Sequence, residues 1–398
     1  MEKTLKRDVE LLFEIGTLRN VKRSWNQLAN VRFQNISEHA YRSMWTALLI
    51  GTNLKKDVSL YKVLVYTLLA DIYKSRCGDH HYVSYMNVET NNSKAIEDIY
   101  GETSVEKEFV KLNKEYFLRK NTESKIAYVA GGMDNRMELE ELANDGVKIA
   151  SIWAYLNDKN FLNKLMVKEA KEYWDGVRNS NPNQWHLASS NRFDFEYHEG
   201  APKTQIDNDI DFLYEIGSLR HMDRLWSQFV GRKFANLTEH TYRVIWIALL
   251  IAKYLKDVNL EKVIIMAMIH DLGEIRSSDI NYINSGYTKT KSDASLKQTI
   301  EKVSINKKLI KIWDELIDRN SVETKIVKDA DKLDTIMELQ EQEALGMQIA
   351  KEWKLKNLER LIGKLNSDYA NDLLITILQS DPNSWHLSAN NRFEDPDW

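Results

Sequence analysis

The stretch "VIIMAMIHDLGEI", Val263 to Ile275, has a gapless counterpart 200 residues earlier, "VLVYTLLADIYKS", Val63 to Ser75. Val263, Met266, Ala267 and His270 recur at i, i+3, i+4 and i+7, the spacing of one face of a helix, so His270 closes an apolar stripe that faces a core. In the earlier copy the same helical pattern stands, but Ala70 replaces His270 and Lys74 replaces Glu274. One helix is therefore written twice, with its ionisable groups kept in only one version.

Matching runs flank both copies. "ELLFEIGTLRNVKRSW" (Glu10 to Trp25) pairs with "DFLYEIGSLRHMDRLW" (Asp211 to Trp226), and "NISEHAYRSMWTALLIG" pairs with "NLTEHTYRVIWIALLIA", setting His39 against His240. "SNPNQWHLASSNRF" (Ser180 to Phe193) pairs with "SDPNSWHLSANNRF" (Ser380 to Phe393). A unit of this length seen twice is a duplicated domain rather than a solenoid. The expected division is a first domain over 1–194, a linker over 195–206 and a second domain over 207–398. Thr238 and Ser37 are the expected N-caps of the long helices that carry His240 and His39. Strand-like alternation is scarce and no Gly-rich phosphate loop occurs, so the fold class is all-α, two helical bundles in tandem.

Composition narrows the function. With 398 residues, 43% of them apolar and only 4 prolines, each half can bury a core without staples. The net charge of −4, without a basic block, argues against a polymeric nucleic-acid partner but leaves room for a small anion in a local pocket. One cysteine, Cys77, excludes an internal disulfide and a CxxC zinc ribbon. The start has no apolar signal region, and no apolar run approaches the ~18 residues of a membrane span. A cytoplasmic protein with no membrane association is expected, and a homo-oligomer is allowed.

In the second copy, His270 and Glu274 are four residues apart and Asp271 and Glu274 three apart, so the three converge if the helix continues or turns gently. His270 alone reads as a hydrogen-bonded core histidine. It has company in His240, in the first turn of a helix, and in Asp331 of "VKDADKLD", which shares a face with Asp334 while Asp329 points elsewhere.

The order His240, His270-Asp271, Asp331, with Glu274 three residues after the doublet, resembles the HD-domain metal-dependent phosphohydrolases, and within them the 5′-deoxynucleotidase (YfbR-like) branch. The elements that match are Arg224-Leu225-Trp226, Thr238-Glu239-His240, His270-Asp271 with Glu274, Asp279, and Val327-Lys328-Asp329-Ala330-Asp331. The residue inserted between Arg224 and Trp226 is a departure from the commonest form. The resemblance implies a phosphomonoesterase acting on deoxynucleoside 5′-monophosphates. One divalent ion (Co²⁺, Mn²⁺, Zn²⁺ or Mg²⁺) would be held by His240, His270, Asp271 and Asp331, a donor set suited to such an ion. Glu274 would handle the proton of the attacking water. Arg224 and Asp279 would contact the phosphate and sugar end of a small nucleotide substrate, and Trp226 would crowd the 2′ position, although Trp226 reads equally well as a core anchor. No histidine lies between His270 and Asp331, which speaks against the two-metal relatives.

The first copy keeps His39 and Asp71 but has Ala70, Lys74 and Gly131 where the second has His270, Glu274 and Asp331. It is expected to be a pseudo-enzyme domain that packs against its sister. Arg23, Trp25 and Asp79 persist, so a retained nucleotide, with Lys74 supplying positive charge, is the other reading of it. For the whole chain, hydrolysis of nucleoside triphosphates or another small phosphate ester, and a non-catalytic sensing or scaffolding role, stay open.

Overall fold

A computed structural model describes residues 2–54, 57–162, 167–187, 203–231 and 234–387. Among them there is no sheet, only two isolated antiparallel bridges, Lys22 to Asn35 and Asp223 to Asn236, at matching places in the two halves. The first half contains α1 (Glu2–Gly16), α2 (Ile36–Asn53), α3 (Leu60–Leu69), α4 (Asn92–Tyr100), α5 (Glu106–Leu118), α6 (Thr122–Asn144), α7 (Lys148–Phe161) and α8 (Lys168–Asn179). The second repeats the series as α9 (Gln205–Ser218), α10 (Leu237–Tyr254), α11 (Leu260–Ile269), α12 (Ser292–Ile300), α13 (Asn306–Asp318), α14 (Val322–Ala344), α15 (Gln348–Leu361) and α16 (Asp368–Gln379). One-turn helices at Lys74–Cys77 and Glu274–Ser277 come after α3 and α11. The chain is all-α.

Helices α2 and α10 carry apolar residues on several faces and are buried along nearly their whole length. A helix of that kind needs neighbours all round. In its own half α2 packs on α3 and α6, and α10 packs on α11 and α14; the remaining faces of α2 and α10 pack on each other. The outcome is a single apolar core that runs from Val9 through Ile377 without a break between halves. Trp45 of α2 meets Phe212 of α9 edge-on at 5.2 Å, and Trp246 of α10 meets Phe109 of α5 at 5.8 Å. Tyr41 donates its hydroxyl hydrogen to the Met268 carbonyl at 2.8 Å, so α2 touches the turn of α11 just before the His270-Asp271 pair. The halves thus sit face to face.

Their approach is organised at the starts of α2 and α10. Asn35 and Asn236 are the N-caps, each closing a capping box with Glu38 or Glu239 three residues on. The expected caps, Ser37 and Thr238, lie inside the first turn instead, because the asparagine–glutamate pair offers reciprocal bonds that a lone hydroxyl cannot. The two boxes also interlock: Asn35 Nδ2 donates to Glu239 Oε1 at 2.6 Å and Asn236 Nδ2 donates to Glu38 Oε1 at 2.7 Å. Farther out, the one-turn helix Ser384–Leu387 packs on α1, and Gln184–Leu187 packs on α9, so each duplicated WHL segment covers the other half. The Asn-Arg-Phe triplets after them lie outside the described residues. So do residues 195–202 of the expected linker; its end, Gln205 and Ile206, already belongs to α9, capped by Thr204.

A continuous core predicts one cooperative unfolding event. Urea denaturation followed by tryptophan fluorescence and by circular dichroism should give coincident single transitions, and Trp246→Ala should lower the stability of the whole chain by about 3–5 kcal/mol. Two separated transitions would contradict the fused core.

Candidate metal centre

Three segments bring the ionisable groups of the second half together. His240 sits in the first turn of α10, one turn past the interlocked cap. Helix α11 ends at Ile269, so His270 and Asp271 occupy the turn after it rather than a continued helix. Asp331 comes from the middle of α14. His240, His270 and Asp331 offer ligand atoms that all lie within 4.8 Å of one another. Asp271 joins them through Oδ2, 3.2 Å from His270 Nε2 and 3.4 Å from His240 Nε2. Asp331 Oδ1 is 3.4 Å from His240 Nε2, and the two Nε2 atoms are 3.4 Å apart.

These spacings suit one shared ion. Two donors each ~2.1 Å from a cation, at tetrahedral or octahedral angles, stand about 3.0–3.4 Å apart. The imidazoles are also aimed correctly. His270 Nδ1 is taken up by the Ala267 carbonyl at 2.8 Å, and His240 Nδ1 by Asp334 Oδ2 at 2.5 Å, which leaves both Nε2 lone pairs facing the cluster. Asp334 in turn accepts from Arg243 Nε, and Arg243 Nη1 donates to Glu341 at 2.6 Å. Burial by itself would raise the Asp334 carboxyl, but Arg243 and His240 outweigh it and hold it well below the usual carboxylate range.

Glu274 opens the one-turn helix after the doublet. Its Oε2 is buried with no hydrogen-bond partner. Burial, then the charges of Asp271 and Asp279, push its carboxyl up to about 9. A surplus of negative charge with an orphaned carboxylate oxygen is what a cation-binding donor set looks like from the protein side. The donor set therefore fits a divalent ion.

The other expected site residues lie around this cluster in different roles. Arg224 Nη1 is 3.4 Å from His240 Nδ1 and 3.6 Å from Glu338 Oε2, so its guanidinium lies beside the cluster. Asp279 accepts the Leu225 backbone N–H at 2.8 Å and thereby pins the Arg224–Trp226 segment. Trp226 packs edge-on against Trp353 at 5.5 Å and Phe234 at 6.2 Å, in a satellite core, with the Arg224 guanidinium 5.4 Å above its ring. Asp329 faces away and accepts twice from Asn366.

Sequence reasoning passed over Arg243, Glu338 and Glu341, and gave Asp334 a face but no task. Their signal was their presence in both copies: Arg42, Asp134, Glu138 and Glu141 repeat the arrangement around His39. The carboxylates also reach between halves. Arg19 pairs with Glu341 at 2.9 Å and Glu338 at 3.3 Å, while Arg220 pairs with Glu141 at 3.1 Å and Glu138 at 3.4 Å.

In the first half His39 Nε2 and Asp71 Oδ2 keep their approach at 3.3 Å. Lys74 Nζ lies 3.0 Å from Asp71 and 2.8 Å from Asp79, so an ammonium group already neutralises the carboxylate that a metal would need.

The chain is similar to several known proteins. A 5′-deoxynucleotidase HDDC2 of Danio rerio is 28% identical over 146 residues, 35% of this chain and 72% of that protein. The protein of the same name from Dictyostelium discoideum is 26% identical over 165 residues, 38% of this chain and 86% of its own length. A conserved hypothetical protein of known structure from Pyrococcus furiosus is 28% identical, with a TM-score of 0.38 over 43% of this chain and 99% of its own. The HD domain family model matches twice, over residues 15–171 and 216–369. Both halves carry its pattern, and the chain belongs to the HD domain family, as a tandem member similar to 5′-deoxynucleotidases.

Proposed function

We propose that the second half is a metal-dependent phosphomonoesterase that converts deoxynucleoside 5′-monophosphates to deoxynucleosides and phosphate, and that the first half is catalytically silent. The observation that carries this reading is the convergence of His240, His270, Asp271 and Asp331 with both imidazole Nε2 atoms turned inward. The family and the names of its relatives support phosphate-ester hydrolysis of a nucleotide.

In this reading His240, His270, Asp271 and Asp331 hold one divalent ion. When bound, it neutralises charge on the phosphoryl oxygens and makes a water acidic enough to attack near neutral pH. Glu274, close by but outside the ligand set, orients that water and takes its proton, a contribution of about 10²–10⁴-fold. Arg224 faces the phosphate, where its fork of N–H donors matches phosphoryl oxygens. Asp279 keeps Arg224 and Trp226 in place through the Leu225 N–H, besides any contact it makes with the sugar. Trp226, held rigid by Phe234 and Trp353, walls the sugar site and disfavours a 2′-hydroxyl. Asp334 orients His240.

The deciding assay strips the chain of metal, reloads it with Co²⁺, Mn²⁺, Mg²⁺ or Zn²⁺, and offers ribo- and deoxynucleotides while scoring phosphate, pyrophosphate and triphosphate release. Phosphate from deoxynucleoside monophosphates is expected; triphosphate release would move the assignment to another ester. Equal rates on ribo- and deoxy-substrates would remove the role given to Trp226. Metal titration should saturate at one equivalent per chain and vanish in His270→Ala.

Glu274→Gln should lower kcat about 10²–10⁴-fold while leaving metal stoichiometry intact. The same variant tests the electrostatics. A carboxyl raised from 4.5 to about 9 favours the fold fully only below pH 4.5, and that contribution is lost as pH rises through 9. With metal chelated, Glu274→Gln should match the parent's melting temperature below pH 4.5 and exceed it by a growing margin toward pH 9. A margin independent of pH would mean that Glu274 is not held in a carboxylate-rich, buried setting.

A further inference from the structure

An open cavity of nucleotide size lies in the first half, beside Trp25. Trp25, Tyr82 and Trp153 wall a space of about 400 Å³, with Asn157 and Asn160 on its rim. Trp153 stands edge-on to Trp25 at 4.9 Å, and Tyr82 lies 5.8 Å from Trp25. A second space of about 220 Å³ adjoins it, floored by His39, Asp71, Lys74 and Gly131. Arg23, Asn135 and Phe161 line both compartments and so mark the passage between them. In the second half the space enclosed by Trp226, Phe234, Thr335, Glu338 and Leu339, which matches one part of this cavity, has no room for a water molecule. In that half Phe229 takes the place of Leu28 and stacks on Tyr282 at 5.2 Å, against Trp353 at 6.1 Å.

The two compartments differ in chemistry. One presents flat aromatic rings and amide side chains, which suit a stacked heterocycle with polar edges. The other is built around buried cations. Arg23 is 7% exposed, and its Nε has no hydrogen-bond partner, the nearest carboxylate oxygen, on Asp79, standing 3.5 Å away. Such a donor is costly to leave unused.

Charge points the same way. At positions 224, 271, 274, 279 and 331 the second half sets one cation against four carboxylates, a balance that calls for a metal before any phosphate can enter. At the matching positions 23, 71, 74, 79 and 131 the first half sets two cations against two carboxylates. The room once needed for a carboxylate at position 131 is still present, since a Cβ there would stand 3.7 Å from His39 Nε2.

We infer that the first half binds a nucleoside 5′-monophosphate without a metal and without cleaving it. The base lies in the space walled by Trp25, Tyr82 and Trp153, against their rings, and the phosphate lies on Arg23 and Lys74. With no second histidine and no carboxylate at 131, the first half lacks two of the four ligand positions, and a lysine stands where the second half has Glu274 to take the water's proton. The inference rests on the first half's own geometry and stands or falls apart from the activity proposed for the second.

The test uses the full chain in excess EDTA. Equilibrium dialysis and calorimetry would measure the four deoxynucleoside 5′-monophosphates, two ribonucleoside 5′-monophosphates, the free deoxynucleosides and inorganic phosphate. One equivalent of at least one monophosphate should bind, and the deoxynucleoside or phosphate alone should bind at least about tenfold more weakly. Lys74→Glu should weaken binding about tenfold or more. Because that change also disturbs the Asp71 and Asp79 pairs, Leu156→Trp serves as a second variant. Leu156 lines the aromatic compartment and is 44% exposed, so the larger ring fills the space without entering the core; an unaltered melt with binding weakened about tenfold is expected. Absence of binding at about 10 mM, binding untouched by Leu156→Trp, or equal affinity for inorganic phosphate would each overturn the inference. Phosphate release by the metal-loaded parent is scored separately, so turnover without EDTA-resistant binding rejects this inference alone.

Discussion

Two asparagine–glutamate caps, each bonded to its own helix and to the other's, fix where the long helices α2 and α10 begin relative to one another. His39 and His240 stand one turn inside those caps, so the crossing of the caps positions the first histidine of each half. The crossed ion pairs extend the same lock outward: Arg19 reaches Glu341, Glu341 holds Arg243, Arg243 holds Asp334, and Asp334 orients His240. Every member is largely shielded from water, and a buried charge that loses its partner costs about 3–5 kcal/mol. The first half is therefore part of the support of the second half's histidine, whatever ligand it does or does not hold.

The helical class and the duplication could be read from the repeated runs, because periodicity and self-similarity are local properties. The candidate cluster was legible only as an ordered set, His240, His270-Asp271, Glu274 and Asp331 in the order of the HD family, since an isolated His-Asp doublet says little. Local reading failed where tertiary partners decide. Thr238 looked like the cap of α10, yet Asn236 takes that place because Glu239 answers it from the next turn and Glu38 answers it from the other half. The helix carrying "VIIMAMIH" stops at Ile269, one residue before the histidine, so the doublet is presented by a turn. Arg243 lies three residues after His240 in plain view, but its task depends on Asp334, which is 91 residues away. No periodicity encodes how two similar halves will meet. The matching surfaces of α2 and α10 settle that only once both are folded.

Side-chain charge explains why the two halves diverged so differently around the same backbone. A cluster of carboxylates with two imidazoles is poorly satisfied by protein alone, which is why Glu274 is driven toward its neutral form. In the first half a side chain of the protein supplies positive charge at the same backbone positions. Lys74 bridges Asp71 and Asp79, and burial notwithstanding, Lys74 and Arg23 bring the Asp79 carboxyl down to about 2. One site lacks positive charge until a cation arrives, while the other carries its cations within the chain. The aromatic surroundings differ too: Phe229, which stacks on Tyr282, stands where the first half has Leu28.

The fused core also bears on heredity. When identical subunits assemble about a two-fold axis, any substitution appears at both centres simultaneously, so neither can be given up or repurposed alone. Joining the pair in one polypeptide keeps the mutual bracing of the paired helices while releasing each centre from its twin's sequence. A lysine could then arise at position 74 with position 274 still glutamate, and selection could act on two pockets as separate traits within one molecule.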